Sequence, residues 1–212
     1  QLQMADIEML SFEERFGLLV DREMTQRNNR RLETRLRKAK LRYQASMEDI
    51  AFSQSRGLDK KLMLSLASCE WLKGHHNVFI VGPTGTGKSY LACALAQKAC
   101  REGYSALYLR VPRLFAELSL AKGDGRYSKL LSGFARTDLL VLDDWGLSKL
   151  NKEQQRDVLE IMEDRHDIRS TIITSQLPVA KCQSPVLPVH PLFKFGYFFT
   201  TDNQFSFAHF QL

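Results

Sequence analysis

The sequence predicts an α/β fold, a parallel sheet with helices on both faces, preceded by an N-terminal helical segment. Three observations predict it. Short apolar runs such as NVFIV (77–81) and DLLVLD (138–143) alternate with longer stretches of helical spacing. Each run is apolar throughout, as expected of parallel strands buried on both sides. Residues 82–89, GPTGTGKS, fit the P-loop pattern G-x-x-x-x-G-K-[ST] at every specified position, with a strand before and a helix after.

The elements follow in order. Ser11 with Glu14 three residues later is a capping box, and no proline interrupts the helical spacing up to about Tyr43. Leu18, Arg22, Leu32, Leu36 and Ala39 recur at helical spacing, with arginines on the remaining faces. Residues 55–59 read as a connection and Lys60–Leu72 as one helix, stopped near Gly74. Strands are expected at Val78–Val81, Ala106–Val111, Asp138–Asp143 and Ser170–Thr174. Helices are expected at Lys88–Arg101, Arg113–Lys122 and Asn151–Asp167.

With 212 residues, 44% hydrophobic and 25% charged, the chain suits one domain with an appendage. The net charge of +6 is unevenly placed. Between residues 27 and 42 stand Arg27, Arg30, Arg31, Arg35, Arg37, Lys38, Lys40 and Arg42 against the single acid Glu33. Such a block favours a polyanion, nucleic acid above all, although a solvated helix face has the same appearance. Without interleaved aromatics beyond Tyr43, contact is expected with a nucleic-acid backbone, largely independent of sequence. Cys69, Cys93, Cys100 and Cys182 form no C-x-x-C pair and read as buried thiols. No run of 18 apolar residues or signal peptide is present, so the expected setting is the cytoplasm, with no membrane partner. A first residue of Gln1 suggests a trimmed N-terminus.

The chemistry concentrates at two strand ends. Glycines at 82, 85 and 87 allow a tight turn whose N–H groups face phosphate oxygens, and the following helix adds its positive end. The nucleotide-binding set is Gly82, Pro83, Thr84, Gly85, Thr86, Gly87, Lys88, Ser89 and Tyr90, with Lys88 on the β and γ phosphates. Ser89 and Asp143 are the expected Mg²⁺ ligands, and ATP with Mg²⁺ the expected cofactors. Asp144 stands where a general base would orient the attacking water, the alternative being a cap on the turn at Trp145-Gly146. Gln176, directly after the fourth strand, is placed to sense the γ phosphate. Arg165 and Arg169 read as surface arginines or, alternatively, as groups acting across an interface, His75 and His76 as surface or nucleotide-edge residues, and His166 as solvated.

These features together resemble the IstB-like transposition helper ATPases, which are similar to the DnaC and DnaA ATPase domains of the AAA+ class. The resemblance is carried by SFEERFGLLVDRE (11–23), NRRLETRLRKAKLR (29–42) and EDIAFSQSRGLDKKL (48–62). It continues through NVFIVGPTGTGKSYLACALAQKACREGYSALYLRVPRLFAEL (77–118), DLLVLDDWGL (138–147) and RSTIITSQLPV (169–179). It implies an AAA+ P-loop ATPase that self-assembles with ATP on duplex DNA and activates a cognate transposase. In that reading Gly82–Ser89 hold phosphates, Asp143 holds Mg²⁺, Asp144 is the catalytic acid and Gln176 the sensor. Other readings are a DnaC-like helicase loader acting in DNA replication, a small-molecule kinase, and an inert binding module.

The domain division expected is a basic helical segment at 1–54, an incomplete ATPase core at 55–180 and a foreign tail at 181–212. The tail holds seven of the 13 phenylalanines and three of the six prolines but only three charges, Lys181, Lys194 and Asp202. That composition suits a frameshifted or disordered segment without strand periodicity. The elements that the family carries there would then be lost, leaving a protein that binds ATP but hydrolyses it feebly and assembles poorly.

Overall fold

The computed structural model describes residues 10–50, 58–146 and 149–176, and the backbone of 195–200. A long first helix, α1 (Phe12–Ala39), begins at the expected capping box, with the Ser11 side chain accepting from the Glu14 N–H. It ends at Lys40, whose left-handed backbone (φ 51°) breaks the helix before Tyr43. The expected helix over 60–72 is two pieces, α2 (Lys60–Ala67) and α3 (Glu70–Lys73). Cys69 at φ 59° makes the break, and the buried Trp71 indole N–H donates to the Leu66 carbonyl at 3.0 Å across it.

The remaining elements alternate: β1 (Asn77–Val81), α4 (Lys88–Arg101), β2 (Ala106–Arg110), α5 (Val111–Gly123), α6 (Tyr127–Arg136), β3 (Leu139–Trp145), α7 (Lys152–Glu163), β4 (Ser170–Ser175) and β5 (Phe195–Thr200). Pro112 sits in the first turn of α5, where its missing N–H leaves no intrahelical bond unmade. Asn151 and Gln154 form a second capping box that starts α7. Helix α6 is absent from the sequence expectation, because Gly125 and Gly133 obscure the spacing of Tyr127, Leu130, Leu131 and Phe134.

All strand pairs are parallel, in the order β2-β3-β4-β1-β5. Alternate residues of each strand serve two cores. Val78, Ile80, Tyr108, Leu139, Val141 and Ile172 pack under α2, α3, α4 and the end of α1. Phe79, Val81, Leu140, Leu142 and Ile173 pack against α5, α6 and α7. Strands buried on both faces favour apolar residues, as in β1 and most of β3, and the polar residues buried in them, Asp143, Ser170, Thr171, Thr174 and Ser175, lie towards the strand ends.

One finding differs from expectation. The tail, read as lacking strand character, contributes the backbone of β5 along the free edge of β1; the rest of 181–212 lies outside the described residues. In the N-terminal segment, Leu32, Leu36, Ala39, Leu41, Ala45 and Met47 belong to the first core or pack on it. Leu18, by contrast, is exposed, and residues 12–31 of α1 project from the body. Among the described residues no helix is long and apolar enough to cross a membrane.

Candidate functional site

A parallel sheet collects the C-terminal ends of its strands along one edge, and that edge carries the site. The loop after β1 places Pro83–Gly87 in the open, while Gly82 is buried and donates its N–H to the Ser175 carbonyl of β4 at 3.2 Å. Gly85 and Gly87 have φ of 86° and 90°, a region side chains seldom enter, and a Cβ at either would meet no atom within 4 Å. The loop is therefore an open cradle shaped by its backbone. The Thr86 hydroxyl and the Lys88 amine both donate to the Pro83 carbonyl, at 2.9 and 2.6 Å. Burial lowers the Lys88 pKa, and the negative charges of Asp143 and Asp144 partly restore it.

Ser89 is the second residue of α4, and its hydroxyl donates to Asp143 Oδ1 at 2.9 Å. Asp143 is completely buried, an unusual position for an ionisable group without partners. Its other partners are the hydroxyls of Thr174, which donates to Oδ1, and Tyr108, which donates to Oδ2. Arg42 lies 3.8 Å from Oδ2. Burial, and then the neighbouring Asp143, push the Tyr108 phenol well above its ordinary pKa, so it stays a donor. The groups that hydrogen-bond to Asp143 are all hydroxyls, and with the carboxylate they offer oxygen, the donor type a hard divalent cation such as Mg²⁺ takes.

The register between β3 and β4 shifts between Leu142 and Trp145. Asp144, at φ 64°, falls in this irregularity, with its N–H bonded to Thr174 Oγ1 at 3.2 Å. Its carboxylate turns to Arg110 at the end of β2, accepting from Nε at 2.8 Å and Nη2 at 2.7 Å. Gln176 accepts a hydrogen bond from Thr84 Oγ1 at 2.7 Å, which ties the residue after β4 to the phosphate loop. Tyr90 is half-buried, its ring 6.3 Å from that of Tyr43.

The structure thus gathers Gly82–Tyr90, Asp143, Asp144 and Gln176 at one edge. Sequence reasoning missed Tyr108, Arg110 and Thr174; Arg110 and Thr174 lie at the C-terminal ends of β2 and β4, a signal that could have found them, whereas Tyr108 is mid-strand in β2 and carries no such signal. It also placed Arg165 wrongly. That side chain is 1% exposed and donates to the carbonyls of Phe134, Thr137, Asp138 and Ser170 and to Thr171 Oγ1, a structural clamp between the end of α6 and the starts of β3 and β4. Arg169 is half-buried, 3.6 Å from Asp138. His75, His76 and His166 are half-buried rather than on the open surface. Of the basic run, Arg27, Arg30, Arg31, Arg37, Lys38, Lys40 and Arg42 are exposed, whereas Arg35 turns inward to the Cys100 carbonyl at 2.9 Å. Cys69, Cys93 and Cys100 are buried free thiols, and burial pushes Cys69 and Cys100 up to about 11. Cys182 lies outside the described residues.

Comparison with known proteins agrees with this geometry. The family model described as IstB-like ATP binding protein matches residues 1–187. A protein of Sinorhizobium fredii described as an insertion sequence ATP-binding protein, y4pL, is 55% identical over 173 residues, covering 82% of this chain and 71% of that one. The ATP-binding protein of insertion sequence IS1162 from Pseudomonas fluorescens is 51% identical, covering 80% and 74%. Among solved structures, DnaA bound to AMPPCP and single-stranded DNA superposes with a TM-score of 0.63 at 19% identity, over 76% of this chain and 51% of that one. The DnaC helicase loader superposes with a TM-score of 0.58 at 21% identity, over 70% and 88%. At those identities the structures establish a shared P-loop AAA+ fold and nothing further. The chain belongs to the IstB-like family of insertion-sequence ATP-binding proteins.

Proposed function

We propose that this chain is an ATPase helper of an insertion-sequence transposase, binding Mg-ATP at the edge just described and duplex DNA through α1. The observation that carries the reading is the contact between Ser89 of the phosphate loop and the fully buried Asp143, 2.9 Å apart beneath an open cradle. Ser89 and Asp143 would hold the Mg²⁺; Gly82–Lys88 would hold the phosphates, the loop N–H groups and the Lys88 amine meeting their negative charge. Bound Mg-ATP would supply an electrophilic γ phosphorus and a leaving group whose charge the metal neutralises.

The chain's own residues do the rest. Asp144 is the group positioned to accept a proton from water, and Gln176 adjoins the loop through Thr84. In the described conformation Asp144 is engaged by Arg110, so turnover by the free protein should be slow. The exposed basic residues of α1 share its outward side, while Leu32, Leu36 and Ala39 hold the opposite side on the core. They would meet successive phosphates without reading bases. The domain roles follow: 1–54 as DNA arm, 55–180 as ATPase core, with self-assembly on DNA and delivery of the transposase as the output. The insertion-sequence names of the relatives support that output.

Equilibrium binding of a fluorescent, non-hydrolysable ATP analogue with and without Mg²⁺, alongside duplex DNA binding, tests the proposal. Micromolar Mg-dependent analogue binding lost in Ser89→Ala, together with salt-sensitive duplex binding, is the expected result. Analogue binding indifferent to Mg²⁺ and to Ser89 would overturn the nucleotide half, and absence of duplex binding at low salt the DNA half.

A further inference from the structure

Arg42 is the last residue of the basic run, yet it does not follow the others. Lys40 reverses the chain at the end of α1 with a left-handed backbone, and Leu41 packs on the core. This turn brings the Arg42 guanidinium to 3.8 Å from Asp143 Oδ2. The guanidinium lies over the ring of Tyr43 at 5.1 Å, and Tyr43 leans on Tyr90, the residue after Ser89. The remaining contacts of Asp143 are neutral hydroxyls from Ser89, Tyr108 and Thr174. Lys88, which feels the charge of Asp143, spends its amine on the Pro83 carbonyl at 2.6 Å. Arg42 is the only ion-pair partner of Asp143 among the described residues, and its side chain is 42% exposed while the carboxylate is wholly enclosed.

We propose that Arg42 is a positioning residue that couples the two binding sites, serving as the counter-charge of Asp143 until Mg-nucleotide or a DNA phosphate displaces it. A divalent cation at Ser89 and Asp143 puts a second positive charge beside the guanidinium, and the repulsion frees Arg42 towards solvent. A phosphate on α1 that draws Arg42 outward leaves a buried carboxylate without a cation, which raises its affinity for Mg²⁺. Both displacements favour the same arrangement, so each ligand tightens the other by an equal factor. The inference rests on the nucleotide- and DNA-binding reading above and adds the link between its halves. It also accounts for the exposure of this arginine: an enclosed guanidinium could not be handed to a phosphate.

The test uses the full chain, a fluorescent non-hydrolysable ATP analogue and a short duplex, with nucleotide affinity measured at each duplex concentration. In the wild type, duplex DNA should tighten Mg-analogue binding about 5- to 20-fold, in the range usual for coupled sites. In EDTA the duplex should have no such effect. Arg42→Ala and Arg42→Gln should bind the Mg-analogue more tightly without DNA and show less than about 2-fold coupling. Arg42→Lys should retain most of the coupling, since the charge remains. Arg37→Ala removes an exposed charge that forms no ion pair with Asp143; it should weaken duplex binding and leave the coupling factor as in the wild type. Wild-type coupling in Arg42→Ala and Arg42→Gln would overturn the proposal, as would a wild type that binds both ligands independently; either result leaves the proposed function standing. A chain that binds neither ligand would overturn both.

Discussion

Thr174→Val removes a single oxygen from the wall between the phosphate loop and Asp143 while nearly conserving volume. Thr174 is 1% exposed, and its hydroxyl has two engagements. It donates to the Asp143 carboxylate and accepts from the Asp144 N–H at 3.2 Å. A hydrogen bond to a charged group contributes about 1.5–3 kcal/mol, and an orphaned buried N–H costs about 1–3 kcal/mol. Valine fills the space, so no cavity penalty is added. Asp143 keeps its donors from Ser89 and Tyr108, which limits the first loss. A net destabilisation of about 2–4 kcal/mol results, large against a typical total of about 5–15 kcal/mol. Urea unfolding followed by circular dichroism should show a lower midpoint with an unchanged slope, and a melting temperature lower by about 5–15 °C. Thr174→Ser restores the oxygen and should recover most of the loss. A valine variant within about 0.5 kcal/mol of the wild type, or a serine variant no better than valine, would show that this hydroxyl does not support the two carboxylates as described.

Other expectations follow from the same geometry. Gly87→Ala forces a side chain to φ 90° with open space around its Cβ, so the penalty is conformational, about 1–2 kcal/mol, and should appear as about tenfold weaker analogue binding. If Asp144 is the proposed base, Arg110→Ala, which releases it from its ion pair, should raise basal ATP turnover several-fold in a steady-state phosphate-release assay; unchanged or lower turnover would refute that restraint. If about six outward charges of α1 meet phosphates, duplex affinity should fall about 10³-fold between 50 and 200 mM salt. Arg30→Ala should then reduce the slope of log affinity against log salt by about one. Burial raises the Cys69 and Cys100 thiols from 9.0 to about 11. The folded chain therefore holds those protons where the unfolded chain loses them, and stability that is intact below pH 9 should decline as pH rises towards about 11, by about 2–3 kcal/mol for each thiol. Urea midpoints flat across that window, compared with a Cys69→Ala, Cys100→Ala double variant, would refute the assignment.

The parts legible in the sequence are those in which local residues satisfy local needs. GPTGTGKS lies between its strand and helix as expected because glycines at 85 and 87 are required by the turn itself. Helix α4 spans the expected Lys88–Arg101, and the Ser11 capping box starts α1 where its own hydrogen bonds dictate. Less legible were elements whose stability comes from elsewhere. Helix α6 is glycine-interrupted and is held by burying Leu131 and Phe134 in the second core. Strand β5 pairs along β1, and edge pairing leaves no signature in the composition of the paired segment. Arg165 looked like any surface arginine because four carbonyls from separate parts of the chain converge on it only after folding.

By itself, the sequence determined the class of fold, the phosphate loop, the acid pair Asp143–Asp144 and the concentration of positive charge near α1, since each is a property of contiguous residues. Tertiary structure alone decided what surrounds those acids. Tyr108 from β2, Thr174 from β4, Ser89 from α4 and Arg42 from the turn after α1 reach one carboxylate, while Arg110 takes the next. The physical reason is the parallel sheet: strands far apart in sequence end side by side, and a buried charge gathers its partners across them.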